Sequence, residues 1–146
     1  MIWKVFKMEV AIMGAGMSGL ACAITLEKNG ITPTIFEKRN SVGDRFVNAE
    51  GMFSILNRPD KDWIPYISEN YNINLKPIDD VEKLFIHSKN EIGTINGKIG
   101  YTNVRGRHEN SYERQLEKQV KSKINFNSTY EYADLCKNFE HVVLAT

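Results

Sequence analysis

Val10-Ala11-Ile12-Met13-Gly14-Ala15-Gly16-Met17-Ser18-Gly19 is the stretch that decides the fold. An apolar run of strand character leads into a G-x-G-x-x-G turn. The turn opens a helical pattern in which Met17, Leu20, Ala21 and Ile24 fall on one face. Asn29-Gly30 supplies the stop, with Gly30 suited to a left-handed C-cap. A second apolar run, Thr32-Pro33-Thr34-Ile35-Phe36, delivers Glu37 eighteen residues after Gly19. Glycines alone would be weak evidence, because the pattern is short. Strand, glycine turn, helix, strand and acid in this order and spacing form the β-α-β fingerprint of dinucleotide binding.

Each residue in the unit has a physical task. Gly14 permits a tight turn where a Cβ would clash. Gly16 lets backbone approach a pyrophosphate, and Gly19 lets the helix pack close to the sheet. Ala15, Met17 and Ser18 complete the loop and the helix N-terminus, whose N–H groups and dipole favour a diphosphate. Glu37 can accept hydrogen bonds from the two hydroxyls of an adenosine ribose, and it disfavours a 2′-phosphate by charge. Lys38 and Arg39 follow it; either could pair with such a phosphate, or both form a solvated loop.

At 146 residues the sequence fits one domain, residues 1–146, with a real core. A net charge of +1 gives no electrostatic case for nucleic acid or an anionic membrane. No apolar run approaches the ~20 residues that span a bilayer, and residues 1–7 mix lysines with apolar residues, unlike a signal peptide. Cys22 and Cys136 cannot make a disulfide framework or a metal site by themselves; with Cys22 read as a small core residue, a reducing cytoplasm is expected. His87, His108 and His141 have no partners at ligand spacing, so no metal is expected. No serine sits in a nucleophile elbow, and no residue is assigned a catalytic role.

Further along, residues 38–45 read as a loop. Asp60-Lys61-Asp62 offers helix N-caps before Trp63, Ile64, Ile67 and Tyr71, with Pro65 in the first turn. Trp63, Tyr66 and Tyr71 sit at helical spacing, which favours core packing. Strands are expected at residues 83–88, 91–95 and 98–104, with Asn96-Gly97 as a type I′ hairpin turn. These would form a small antiparallel layer inserted into a parallel fold. Asn110 with Glu113 resembles a capping box opening a helix with Tyr112, Leu116 and Val120 on one face. Ile124-Asn125-Phe126 and His141-Val142-Val143-Leu144-Ala145-Thr146 read as further strands.

These residues resemble the FAD-binding part of flavoprotein oxidoreductases with the glutathione-reductase-type Rossmann fold. The resemblance is carried by the fingerprint through Glu37, by Gly43-Asp44-Arg45, by Arg105 ahead of a helix at residues 111–121, and by Val142-Val143-Leu144-Ala145-Thr146. A hairpin ahead of Arg105 looks most like the geranylgeranyl-reductase-like branch. The resemblance implies an α/β Rossmann-like FAD/NAD(P)-binding domain, a parallel sheet with an inserted antiparallel hairpin layer. It implies that FAD is held by residues 14–19, Glu37 and Lys38, with Arg45 near the phosphates, Arg105 on the flavin side, and Ala145 and Thr146 at the closing strand. NAD(P)H enters as a candidate electron donor.

Two departures from the family pattern stand out. Asp44 takes the place of the usual second glycine, bringing a carboxylate near the expected pyrophosphate. The family continues past the position of Thr146, so the resemblance covers an N-terminal portion without a substrate domain. The same residues leave open an NAD(P)-binding module or a non-catalytic nucleotide-binding remnant. An open sheet edge would favour self-association.

Overall fold

A computed structural model describes residues 8–44, 48–54 and 62–145. The leader at residues 1–7, Arg45, Asp60, Lys61 and Thr146 lie outside the described residues. Elements follow in the order β1 (Val10–Met13), α1 (Met17–Lys28), β2 (Thr34–Phe36), β3 (Asn48–Phe53), α2 (Trp63–Tyr71), β4 (Asp79–His87), β5 (Ile92–Arg105), α3 (Tyr112–Glu117), β6 (Ile124–Asn125), α4 (Tyr132–Asn138) and β7 (His141–Leu144).

The architecture is mixed α/β, with a four-stranded sheet in the order β6-β2-β1-β7 and a three-stranded sheet in the order β3-β5-β4. All pairings in the first sheet are parallel, with Ile12 level with Ile35 on one side and Val143 on the other. A strand at the centre of a parallel sheet is covered on both faces, which is why β1 is continuously apolar. Val10, Ala11 and Ile12 are all buried.

Helix α1 lays Leu20, Ala23 and Ile24 into the core, with Met17 and Ala21 only partly buried beside them. The buried stripe is thus rotated slightly from Met17, Leu20, Ala21 and Ile24. Leu20 and Leu116 are both almost fully enclosed, and burial of each contributes about 1.5–3 kcal/mol. Asn29 caps the helix, and Gly30 follows at φ 78°, the left-handed conformation its sequence suggested. At that end Glu27 accepts from Ser122 N at 2.7 Å and Ser122 Oγ at 2.6 Å, fastening α1 to the segment that enters β6.

The second sheet is antiparallel throughout. Its hairpin turns at residues 88–91, where Ser88 N donates to Glu91 O at 2.8 Å, and not at Asn96-Gly97. Asn96 lies inside β5, level with Lys83, and Gly97 has φ 127°. The register passes from Lys83–Asn96 to Val81–Gly100, so Glu82 stands against Gly97, Lys98 and Ile99. The pair marks a bulge, where glycine relieves the kinked backbone.

Asp62 caps α2 with its side chain on Ile64 N, and Asn72 closes it at φ 56°. The expected core packing is met only in part: Trp63 is half-buried and meets the buried Tyr101 and Tyr112 edge-on, but Tyr66 and Tyr71 are exposed and pack on each other. The capping box at Asn110 is also corrected. Ser111 is the N-cap, accepting from Arg114 N at 3.3 Å, and α3 ends at Glu117. Glu113 does not reach back to a cap because its carboxylate is held by Arg105 and Gly106. No helix among the described residues is long and apolar enough to cross a membrane.

Candidate functional site

The neighbours of β1 belong to different parts of the chain, β2 on one side and β7 on the other. In such sheets, ligands bind in the crevice beyond the carboxyl ends of the strands. A cleft of about 880 Å³ opens there, lined by Gly14, Ala15, Gly16, Met17 and Ser18 from the β1–α1 turn. Glu37, Lys38 and Arg39 line it from the end of β2, with Asp44 and Arg105 farther along and Ala145 just after β7.

The glycines are distinguished by what a side chain would meet. Gly14 has φ 103°, and its N–H donates to Phe36 O at 2.8 Å, closing the turn between the first two strands. A Cβ on Gly19 would lie 2.0 Å from Gly14 O, so the helix–turn packing demands glycine. Among the described residues, a Cβ on Gly16 would meet nothing within 4 Å. Gly16 is therefore not required by packing; its bare backbone faces open space at the start of α1. That helix has no side-chain cap and no acid in its first turn, so its positive end is left to an anion.

Glu37 is 7% exposed and is no solvated strand end. One oxygen accepts Ala15 N at 2.8 Å and the other accepts Arg39 N at 2.9 Å. A carboxylate has about four acceptor positions, so capacity for further donors remains. Phe36, next to it, packs edge-on against Tyr130 at 4.8 Å.

Arg105 lies between two carboxylates, with Nε on Glu113 at 2.7 Å and a terminal nitrogen on Glu50 at 3.0 Å. These partners raise its pKa, although burial acts in the opposite direction as the largest single influence. Glu113 is 3% exposed and also accepts Gly106 N at 3.3 Å. Asp44 is ion-paired with Arg107. The two loops touch at Gly43, which has φ 70° and would bring a Cβ to 2.4 Å from Gly106 O.

The site residues expected from sequence thus gather at one cleft, except Gly19, which packs behind it, and Arg45 and Thr146, which lie outside the described residues. Ala145 donates its N–H to Met13 O at 2.8 Å, which brings the end of β7 to the glycine turn. Sequence reasoning missed Glu113 and the segment Ser128-Thr129-Tyr130, all of which line the cleft. The signal for that segment was its place after β6, since loops at the carboxyl ends of parallel strands converge on the crevice. No group of three or more potential metal ligands occurs among the described residues.

Residues 12–50 match the family described as NAD(P)-binding Rossmann-like domain. Thiamine thiazole synthase of Thermotoga maritima is 33% identical over 69 residues, covering 46% of this chain and 28% of that protein. The 4,4′-diapophytoene desaturase of Staphylococcus aureus is 50% identical over 38 residues, 26% of this chain and 8% of the enzyme. Among solved structures, a geranylgeranyl bacteriochlorophyll reductase-like protein from Thermoplasma acidophilum superposes with a TM-score of 0.57 at 17% identity, over 82% of this chain and 30% of that one. A 2-methyl-3-hydroxypyridine-5-carboxylic acid oxygenase gives 0.54 at 15% identity, over 84% and 32%. The chain spans less than a third of the length of each of these relatives. The match over residues 12–50 and the parallel sheet agree: this chain has a Rossmann-like α/β fold, shared with the reductase-like protein and the oxygenase.

Proposed function

We propose that residues 1–146 form the FAD-binding domain of a flavin-dependent oxidoreductase. The observation that carries this reading is Glu37, buried at the cleft and bonded to Ala15 of the glycine turn. That arrangement sets a ribose-type acceptor beside a pyrophosphate-type cradle, and the bare backbone at Gly16 leaves the room that a diphosphate needs.

In this reading residues 14–19 hold the pyrophosphate, and Glu37 and Lys38 meet the adenosine ribose. Arg45 assists the phosphates, while Ala145 and Thr146 border the cofactor at the closing strand. Arg105 lines the flavin side; with Glu50 and Glu113 against it, it contributes hydrogen bonds and shape more than net positive charge. The flavin, when bound, supplies hydride or electron transfer, while the protein binds, orients and tunes it. The buried Glu37 disfavours a 2′-phosphate at the ribose, and a nicotinamide dinucleotide is the proposed electron donor.

A second reading keeps the cleft and changes the ligand. The match at residues 12–50 to an NAD(P)-binding domain favours a nicotinamide dinucleotide in the same place. Parallel titrations of the purified chain with FAD, NADH and NADPH test the two. Preferential binding of FAD supports the flavin reading, and preferential binding of NADH or NADPH supports its rival.

A further inference from the structure

We propose that Arg107 tunes this cleft for an anionic ligand by neutralising Asp44, which lines it. The inference rests on the dinucleotide reading above. Asp44 lines the same cleft as Gly14, Gly16 and Ser18. Its carboxylate is ion-paired with Arg107, and the two partners are unequally placed: the Asp44 side chain is 15% exposed and that of Arg107 64%. Asp44 thus lines the cleft, and its partner Arg107 is largely exposed.

The pairing is built into the backbone. Gly43 and Gly106 pass so closely that a Cβ on Gly43 would lie 2.4 Å from Gly106 O. The next residue in each loop supplies one partner of the ion pair. The close passage of the two loops thus sets Asp44 and Arg107 side by side at the cleft.

Among the described residues, Arg107 is the cation ion-paired with Asp44. Arg105 is already met by Glu50 and Glu113. Without Arg107, a largely buried carboxylate would confront the phosphates in a medium that screens charge less well than water.

The test is a set of equilibrium titrations with FAD and with adenosine, which shares the nucleoside but carries no phosphate. Wild type, Arg107→Ala, Asp44→Asn and the double variant are compared. Arg107→Ala weakens FAD about tenfold or more and leaves adenosine within about twofold, since only the phosphates feel the exposed charge. The double variant recovers FAD affinity to within about threefold of wild type, the non-additivity expected of directly coupled residues. Asp44→Asn alone binds FAD at least as tightly as wild type.

Unchanged FAD affinity in Arg107→Ala overturns the inference while leaving the dinucleotide reading intact. Parallel loss of FAD and adenosine in Arg107→Ala, unrelieved in the double variant, overturns it as a loss of structure. A wild-type chain that binds no FAD, NADH or NADPH overturns the dinucleotide reading and this inference with it.

Discussion

The carboxylate of Glu37 accepts the backbone N–H of Ala15 at 2.8 Å, so the acid that ends the second strand holds the glycine turn that leaves the first. In the proposed reading, one side chain thereby couples the shape of a pyrophosphate cradle to the position of a ribose acceptor. On that reading Glu37 is both a structural and a binding residue, and its removal acts twice.

Glu37→Ala is expected to cost about 1–3 kcal/mol in dinucleotide affinity, as for a charged hydrogen-bond acceptor. Glu37→Gln keeps an acceptor but loses the charge, and should fall between wild type and alanine. Titration of all three proteins with FAD checks the order.

Gly16 and Gly19 should respond in opposite ways. Gly19→Ala drives a Cβ into Gly14 O, with an expected cost of about 1–3 kcal/mol from overpacking. A Cβ at Gly16 meets no described atom within 4 Å and the residue sits at φ −78°, so the fold of Gly16→Val should be retained. Thermal denaturation should show a lower midpoint for Gly19→Ala alone, while dinucleotide titration should show lost affinity for Gly16→Val.

Tyr112 carries a pH prediction. Burial, then the charges of Glu50 and Tyr101, push its hydroxyl up to about 12. In the unfolded chain a tyrosine titrates near 10, so between those values the folded state holds a proton that the unfolded state has lost. Stability from this group is complete below about pH 10 and declines by about 2–3 kcal/mol as pH rises toward 12. Its buried hydroxyl has no hydrogen-bond partner among the described residues. Tyr112→Phe should therefore be neutral or stabilising at pH 7 and should flatten the alkaline decline in denaturant-unfolding measurements.

Ser111 holds two groups at once: it caps α3 at Arg114 N and donates to Gly106 O at 2.6 Å. Ser111→Ala should cost about 1–3 kcal/mol, combining a lost cap with an orphaned buried carbonyl. A fall in the thermal midpoint without a change in the unfolding slope checks it.

The β1-α1-β2 unit was legible because its signals are local. The glycines, the helical stripe around Leu20 and the acid after Phe36 each report on neighbours in sequence. The second sheet was less legible because pairing overrides local signals. Asn96-Gly97 carries turn chemistry, yet Asn96 pairs with Lys83 inside a long strand. Strand β3 was missed because Asn48-Ala49-Glu50-Gly51 has no β-branched residue; its pairing with β5 makes it a strand. At the site, Arg105 was visible as a cation before a helix, but its partners Glu50 and Glu113 lie far away in sequence or resembled a cap. The Asp44–Arg107 pair depends on two loops meeting, which no spacing pattern records.

The measurement that tests the central claim most directly is calorimetric titration of FAD into the wild-type chain and into Gly16→Val, with circular dichroism confirming that both are folded. The account predicts one-to-one binding to wild type and none to the folded variant, because a side chain at Gly16 fills the space left for the diphosphate. A wild-type chain that binds no FAD, or a folded Gly16→Val that binds it as tightly as wild type, would contradict the account.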